Sequence, residues 1–101
     1  MKFYYVYILE CSDQSYYTGI TNDLERRINE HNSGLDNTSY TFDKLPVTLK
    51  WFEIFTKPDE AINREKQIKG WSRRKKEALI RKKWDDLIKY SKNYSQNFKK
   101  K

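Results

Sequence analysis

Cysteine, histidine and methionine are nearly missing from this chain of 101 residues, which has one of each. The lone Cys11 can close no internal disulfide and excludes a multi-cysteine metal site. A reducing cytoplasm is therefore the expected location. With a single histidine, His31, no zinc-type histidine cluster can form. Neither a glycine-rich phosphate loop nor a GxSxG elbow is present. Long hydrophobic runs are missing too. Phe3-Tyr4-Tyr5-Val6-Tyr7-Ile8-Leu9 follows Lys2 as the apolar part of a signal peptide would, but it has only seven residues, four of them bulky aromatics. It stops at Glu10 without a small-residue cleavage site. It is also far below the roughly 18 residues that cross a bilayer, so no membrane partner is expected.

Acids are scarce relative to bases. Lys plus Arg number 21 against 14 Asp plus Glu, a net charge of +7. Aromatic residues are plentiful at 16%, which argues against a wholly disordered basic chain. The length suits one domain with a single modest core.

Residues 3–10 are aromatic and β-branched and read as a strand, with apolar residues on both faces as a central strand requires. Ser12-Asp13-Gln14-Ser15 is turn-like, and Tyr16-Tyr17-Thr18 reads as a short second strand. Gly19 breaks that pattern and permits close backbone approach. A helix follows, with Asn22 as N-cap and Glu25 completing a capping box. Leu24, Ile28 and His31 share one helical stripe, and Ser33-Gly34 ends it. Residues 35–46 form a loop and 47–55 a third strand. A second helix starts at Lys57-Pro58-Asp59-Glu60, carries Ala61, Ile62 and Ile68 as apolar positions, and stops at Gly70. Ser72 caps a third helix with Ala78, Leu79 and Ile80 on its apolar side. Trp84, Leu87 and Ile88 form a short last helix, and the polar residues 91–101 a fraying tail.

Four groups of residues carry candidate chemistry. Glu65 falls between Ala61 and Ile68 on the stripe meant for the core, where a carboxylate needs a partner. That partner is either a basic side chain such as Arg27 or a lysine, or a hard divalent cation, since Mg²⁺ commonly takes only one or two protein carboxylates. Arg27 and His31 are neighbours one helical turn apart. They serve either as a solvated charge and a packing residue, or as a phosphate grip and a proton-handling group. Tyr7 and Tyr17 lie on strands that can bring both hydroxyls to one patch. Packing is the ordinary role of a strand tyrosine, and catalysis requires a phenol pKa brought below about 10. Residues 64–83 hold ten basic and two acidic side chains. That excess is too one-sided for a network of ion pairs along a helix and suits a phosphate backbone, with Lys69, Arg73, Arg74, Lys75, Lys76, Arg81, Lys82 and Lys83 as contacts.

This arrangement resembles the GIY-YIG nuclease domain. Tyr5-Val6-Tyr7 corresponds to the first family tripeptide and Tyr17-Thr18-Gly19 to the second. Arg27 follows ten residues after Tyr17, then His31-Asn32, and Arg64-Glu65 matches the acidic position. The similarity spans residues 3 to about 80 and is greatest to small stand-alone members that resemble the amino-terminal nuclease domain of the excinuclease. The stretch Arg64-Glu65-Lys66-Gln67-Ile68-Lys69-Gly70-Trp71-Ser72 fits that subgroup.

The resemblance implies an α+β, sandwich-like fold, with a three-stranded antiparallel sheet flanked by helices. One domain over 1–90 and a lysine-rich tail over 91–101 are expected. It implies metal-dependent hydrolysis of DNA phosphodiesters, leaving 5′-phosphate and 3′-hydroxyl ends, in repair or recombination. Glu65 would hold one Mg²⁺ or Mn²⁺, and Arg27 would offset charge on the phosphate. Tyr7 and Tyr17 would flank the attacking water, with Tyr7 favoured as general base, and His31 would orient or relay a proton. The sequence departs from the excinuclease pattern at Ile20, where that type has a lysine. The alternative is a nucleic-acid-binding module of the same fold with little or no catalysis. The identity of a targeting partner is not encoded in these motifs.

Overall fold

The structure is a computed structural model that describes residues 2–34, 39–83 and 85. The sequence reading of a last helix around Trp84, Leu87 and Ile88, and of a tail over 91–101, lies essentially outside those residues. The chain falls into two compact units, residues 1–71 and 72–101.

The first unit runs β1 (Tyr4–Glu10), β2 (Tyr16–Thr21), α1 (Leu24–Ser33), β3 (Thr48–Phe55) and α2 (Pro58–Lys69). The strands form one antiparallel sheet in the order β2-β1-β3. The aromatic first strand is central, as its two apolar faces demand, and Val6, Tyr7, Ile8 and Leu9 are all buried.

Side-chain alternation divides the sheet into two faces. On one, Tyr7, Leu9, Cys11 and Val47 form a core packed by Tyr17, Leu24, Ile28, Leu45, Leu49 and Phe52. Helix α1 and the loop before β3 thus cover this face. On the other face α2 lies over the sheet. Arg64 reaches Glu53, which pairs with Val6 in register, at 3.1 Å, and Ala61 and Ile68 are fully buried. A bulge between Ile8 and Leu9 lets β3 serve both layers: Trp51 pairs with Ile8 while Leu49, only two residues away, pairs with Leu9.

Local chemistry sets the boundaries, with some departures from the sequence reading. Strand β2 does not stop before Gly19 but continues to Thr21, because all six of its residues pair with β1. The N-cap of α1 is Asp23, not Asn22; its carboxylate accepts from the Arg26 N–H at 3.2 Å. With Asp23 in that place, the third helical residue is Arg26, so the expected capping box with Glu25 does not form. Gly34 closes α1 at φ 69°, a left-handed conformation suited to glycine. Helix α2 begins at Pro58, with Asp59 and Glu60 in its first turn. Ile62 points outward, at 43% exposure, because the buried positions of α2 are Ala61 and Ile68.

In the second unit residues 73–83 are helical. Ser72 caps them as expected, its hydroxyl accepting from the Lys75 N–H at 3.3 Å. Leu79 and Ile80 are half-buried, whereas Ala78 is exposed.

Gly19 sits opposite Tyr7 in the sheet register. A Cβ there would collide with the Tyr7 hydroxyl and lie 2.6 Å from Tyr7 Cζ and 2.9 Å from Tyr17 Cε2. These are rigid ring atoms that cannot swing aside cheaply. Gly19→Ala is expected to destabilise the fold by about 1–3 kcal/mol through overpacking. The midpoint of denaturant unfolding checks this, and an unchanged midpoint would show that the rings can shift.

Candidate active site

The Tyr7 ring lies where Gly19 has no side chain, at the centre of the sheet, and is 1% exposed. Tyr17, two residues before Gly19 on the same face, approaches it with ring centroids 6.3 Å apart. Helix α1 crosses this face and offers two side chains one turn apart. His31 is 4% exposed and brings Nε2 to 3.4 Å from the Tyr7 hydroxyl. Its ring also meets Tyr17 edge-on, with centroids 5.3 Å apart. The Arg27 guanidinium interacts electrostatically with the Tyr7 hydroxyl, and it also lies 3.7 Å from a Glu30 oxygen.

Glu65 comes from α2. Its side chain is 15% exposed, in keeping with its place between the buried Ala61 and Ile68. Lys69, one turn on, stands 3.5 Å from its carboxylate, so the basic partner that the sequence left open is a lysine. The negative charge of Glu65 also acts on Tyr7. Tyr7, Tyr17, Arg27 and His31 thus meet around one hydroxyl, whereas Glu65 comes from α2 and reaches Tyr7 through its charge, the weakest of the influences on that phenol.

The Tyr7 phenol is not made more acidic but is pushed up to about 12. Burial is the main cause, and the electrostatic influence of Tyr17 and Glu65 adds to it. The Arg27 guanidinium pulls the other way without prevailing. Burial also opposes the charge on Arg27, but its interaction with Tyr7 and the neighbouring Tyr17 and Glu30 groups outweigh that, so its pKa is raised. Tyr7 is thus a neutral hydroxyl beside a permanent cation at any ordinary pH.

The loop before β3 supplies partners that no sequence pattern announced. Thr41 is fully buried and stands 2.7 Å from His31 Nδ1, and Ser39 Oγ is 3.1 Å from Thr41 Oγ1. Tyr40 stacks on Tyr17 at 6.0 Å with 22° between planes. Lys44 sits 3.6 Å from the centre of the Tyr40 ring. Asn32 ties the loop to α1 by accepting from the Val47 N–H at 2.7 Å and donating to the Val47 carbonyl at 3.2 Å. Ser12 N–H anchors the loop again by donating to the Lys44 carbonyl at 2.9 Å. Ile20 pairs with Val6, on the face opposite to Tyr17 by alternation. Buried Cys11 has its thiol pKa pushed up by desolvation, which makes it an inert packing residue rather than a nucleophile.

Among the described residues, no three His, Cys, Asp or Glu side chains group to hold a metal. Glu65 offers one hard oxygen ligand. That set fits Mg²⁺ or Mn²⁺, which retain water and take substrate phosphate oxygens as further ligands. It does not suit an ion that needs an all-protein cage.

The raised Tyr7 pKa has a thermodynamic consequence. The folded state holds the phenol proton more tightly than the unfolded chain, so stability is fully present below about pH 10 and is lost as pH rises towards 12. The wild-type protein should lose about 2–3 kcal/mol more than Tyr7→Phe across that window. Denaturant unfolding of both proteins at several alkaline pH values measures the difference, and parallel curves would contradict it.

The GIY-YIG catalytic domain model matches residues 3–78. A UPF0213 protein of Halobacterium salinarum is 51% identical over 77 residues, covering 76% of this chain and 99% of the relative. One from Clostridium perfringens is 50% identical over 76 residues, covering 75% and 81%. Among solved structures, the solution NMR structure of a UPF0213 protein from Bacillus halodurans is 46% identical with a TM-score of 0.51, covering 77% of this chain and 82% of that one. A solution NMR structure from E. faecalis is 37% identical with a TM-score of 0.58, covering 81% and 86%. These likenesses agree with the three-stranded sheet and its helices, and the two tyrosines, Arg27, His31 and Glu65 all lie within the matched span. The chain belongs to the GIY-YIG family.

Proposed function

We propose that this protein is a metal-dependent endonuclease that hydrolyses DNA phosphodiester bonds, leaving 5′-phosphate and 3′-hydroxyl ends. The observation that carries the reading is the convergence on the Tyr7 hydroxyl. His31 contacts it, Tyr17 packs beside it, and the charges of Arg27 and Glu65 act on it. Two strands and two helices far apart in sequence supply these groups. Membership of the GIY-YIG family, a family of nucleases, supports the same conclusion.

Each residue has a role in this reading. Arg27 grips the scissile phosphate and offsets the charge that builds on its oxygens. Tyr7 orients the attacking water and takes its proton, while Tyr17 closes the other side. His31 handles the proton through Tyr7. Glu65 holds the cation, which when bound supplies Lewis-acid polarisation of the phosphate and stabilises the leaving 3′-oxygen. Lys69 would give up Glu65 to a bound cation and would then be available to the DNA backbone. Arg73, Arg74, Lys75, Lys76, Arg81, Lys82 and Lys83 supply further phosphate contacts. Repair or recombination in the cytoplasm is the setting we assign, within a single nuclease domain over 1–90 followed by a basic tail.

A second reading, a binding module with little catalysis, is favoured by the raised Tyr7 pKa and by the basic excess of residues 64–83. It predicts salt-sensitive binding without turnover.

Incubation of nicked, branched and single-stranded DNA with Mg²⁺ or Mn²⁺ decides between the two. The nuclease reading expects cleavage that Glu65→Gln abolishes and Arg27→Ala slows by about 10²–10³. Cleavage that persists in Glu65→Gln would remove the proposed mechanism, and absence of cleavage on every substrate would favour the binding module.

Joint charge reversal at Arg73, Arg74, Lys75 and Lys76 is expected to weaken binding and to flatten its salt dependence by up to about four phosphate contacts. Titration of labelled DNA at several salt concentrations checks this. An unchanged slope would move the DNA surface elsewhere.

A further inference from the structure

Two large aromatic side chains stand out from the loop before β3. Tyr40 is 51% exposed and Phe42 43%. Single apolar side chains on a surface are ordinary. Tyr40 differs in what lies beneath it and in how firmly its backbone is held. Its ring stacks on Tyr17, with centroids 6.0 Å apart and 22° between planes. Tyr17 in turn meets the His31 ring at 5.3 Å and the Tyr7 ring at 6.3 Å. A half-exposed ring is thus the outer member of a pile that begins in the candidate active site.

The backbone around Tyr40 is fixed. Phe42 N–H donates to the Ser39 carbonyl at 3.1 Å, and Lys44 N–H to the Thr41 carbonyl at 2.9 Å. Thr41 is fully buried, with its hydroxyl 2.7 Å from His31 Nδ1. The Lys44 carbonyl accepts from Ser12 N–H at 2.9 Å. A ring presented on so constrained a backbone loses little freedom when a flat ligand covers it.

Lys44 marks the ring as a place where a ligand can sit. Its Nζ lies 3.6 Å from the centre of the Tyr40 ring and 3.9 Å from the Asp13 carboxylate. Both contacts are weak ones. An ion pair at that distance with a half-exposed carboxylate contributes little, and a cation on an exposed ring only modestly more. A nucleobase brings a π face of its own and gains more from an aromatic ring than the ammonium does. It can take the ammonium's place, and Lys44 is then available to the phosphate of the same nucleotide.

We infer that Tyr40, seated on Tyr17 and with Lys44 over its ring, is a stacking subsite for an unpaired nucleobase adjoining the scissile phosphate. The inference rests on the nuclease reading for its ligand and narrows the substrate class within it. In a continuous duplex both faces of each base are covered by neighbouring pairs, and taking a base out costs unstacking and unpairing. A single strand or a flap presents bare base faces at no such cost. The preferred substrate therefore has single-stranded nucleotides beside the bond to be cut.

The experiment measures binding by the full-length protein without divalent cation, so that nothing is cut. The probes are a labelled strand of about 12 nucleotides, the same strand annealed to its complement, and an abasic strand of the same length. Tyr40→Ala should weaken single-strand binding by about 5- to 100-fold and leave duplex binding unchanged. Tyr40→Trp, which keeps the aromatic face, should retain the wild-type preference. The wild type should bind the abasic strand less tightly than the intact one, and Tyr40→Ala should discriminate less between them. Equal loss on single strand and duplex, no loss on either, or undiminished discrimination in Tyr40→Ala overturns the subsite. Where Tyr40→Ala does not fold, Tyr40→Leu, which keeps bulk and loses the π face, is read by the same criteria. A single-strand preference that depends on Tyr40, in a protein that cuts no DNA when metal is added, upholds the subsite and removes the nuclease reading. Cleavage by a protein whose binding ignores Tyr40 does the reverse, and binding to none of the probes overturns the subsite.

Discussion

A phenol hydroxyl buried at the centre of a sheet must be partnered, and the site is arranged around meeting that demand for Tyr7. The central strand puts Tyr7 in the core, and Gly19 on the paired strand leaves the space that its ring occupies. The hydroxyl can then be reached from helix α1 by Arg27 and His31, one turn apart. His31, once buried, needs a partner at its second nitrogen, and Thr41 fills that need. The loop that carries Thr41 is pinned by the Asn32 amide. Each requirement passes the constraint one step outward, from strand to helix to loop.

This chain of dependence explains what could be read from the sequence. Tyr7, Tyr17, Arg27 and His31 sit on regular elements, where a period of two or of 3.6 assigns a face. Glu65 was legible because a carboxylate interrupted an apolar stripe. Thr41, Tyr40 and Lys44 were not legible, because their loop has no period and their contacts to His31, Tyr17 and Ser12 cross many residues. The helix boundary was misplaced by one residue for a related reason. Asn22 and Asp23 are both good caps, and only the backbone leaving β2 selects Asp23. Gly19 showed as a break in a strand pattern, whereas its real consequence is space for a ring on the neighbouring strand.

Charge is divided along the chain in the same way as structure. The first unit, 1–71, contains nine basic and eleven acidic residues, while 72–101 contains twelve basic and three acidic. A basic helical segment favours a polyanion. A lysine close to Glu65 competes with a cation for its carboxylate, and Lys69 stands 3.5 Å from it.

Two tyrosines in the same aromatic group illustrate how environment decides chemistry. Tyr40 is half exposed, and hydrogen bonds from Lys44 and then Ser15 lower its phenol pKa. Tyr7 is buried, and desolvation raises its pKa despite the nearby Arg27. The better acid therefore stands at the rim and the poorer one at the centre. A base built on free phenolate would call for the reverse arrangement. A buried neutral phenol instead suits concerted transfer, in which the hydroxyl receives one proton as it gives up another and never carries the full charge that burial opposes. His31, held on α1 with Nε2 3.4 Å away, is a group within reach of that hydroxyl.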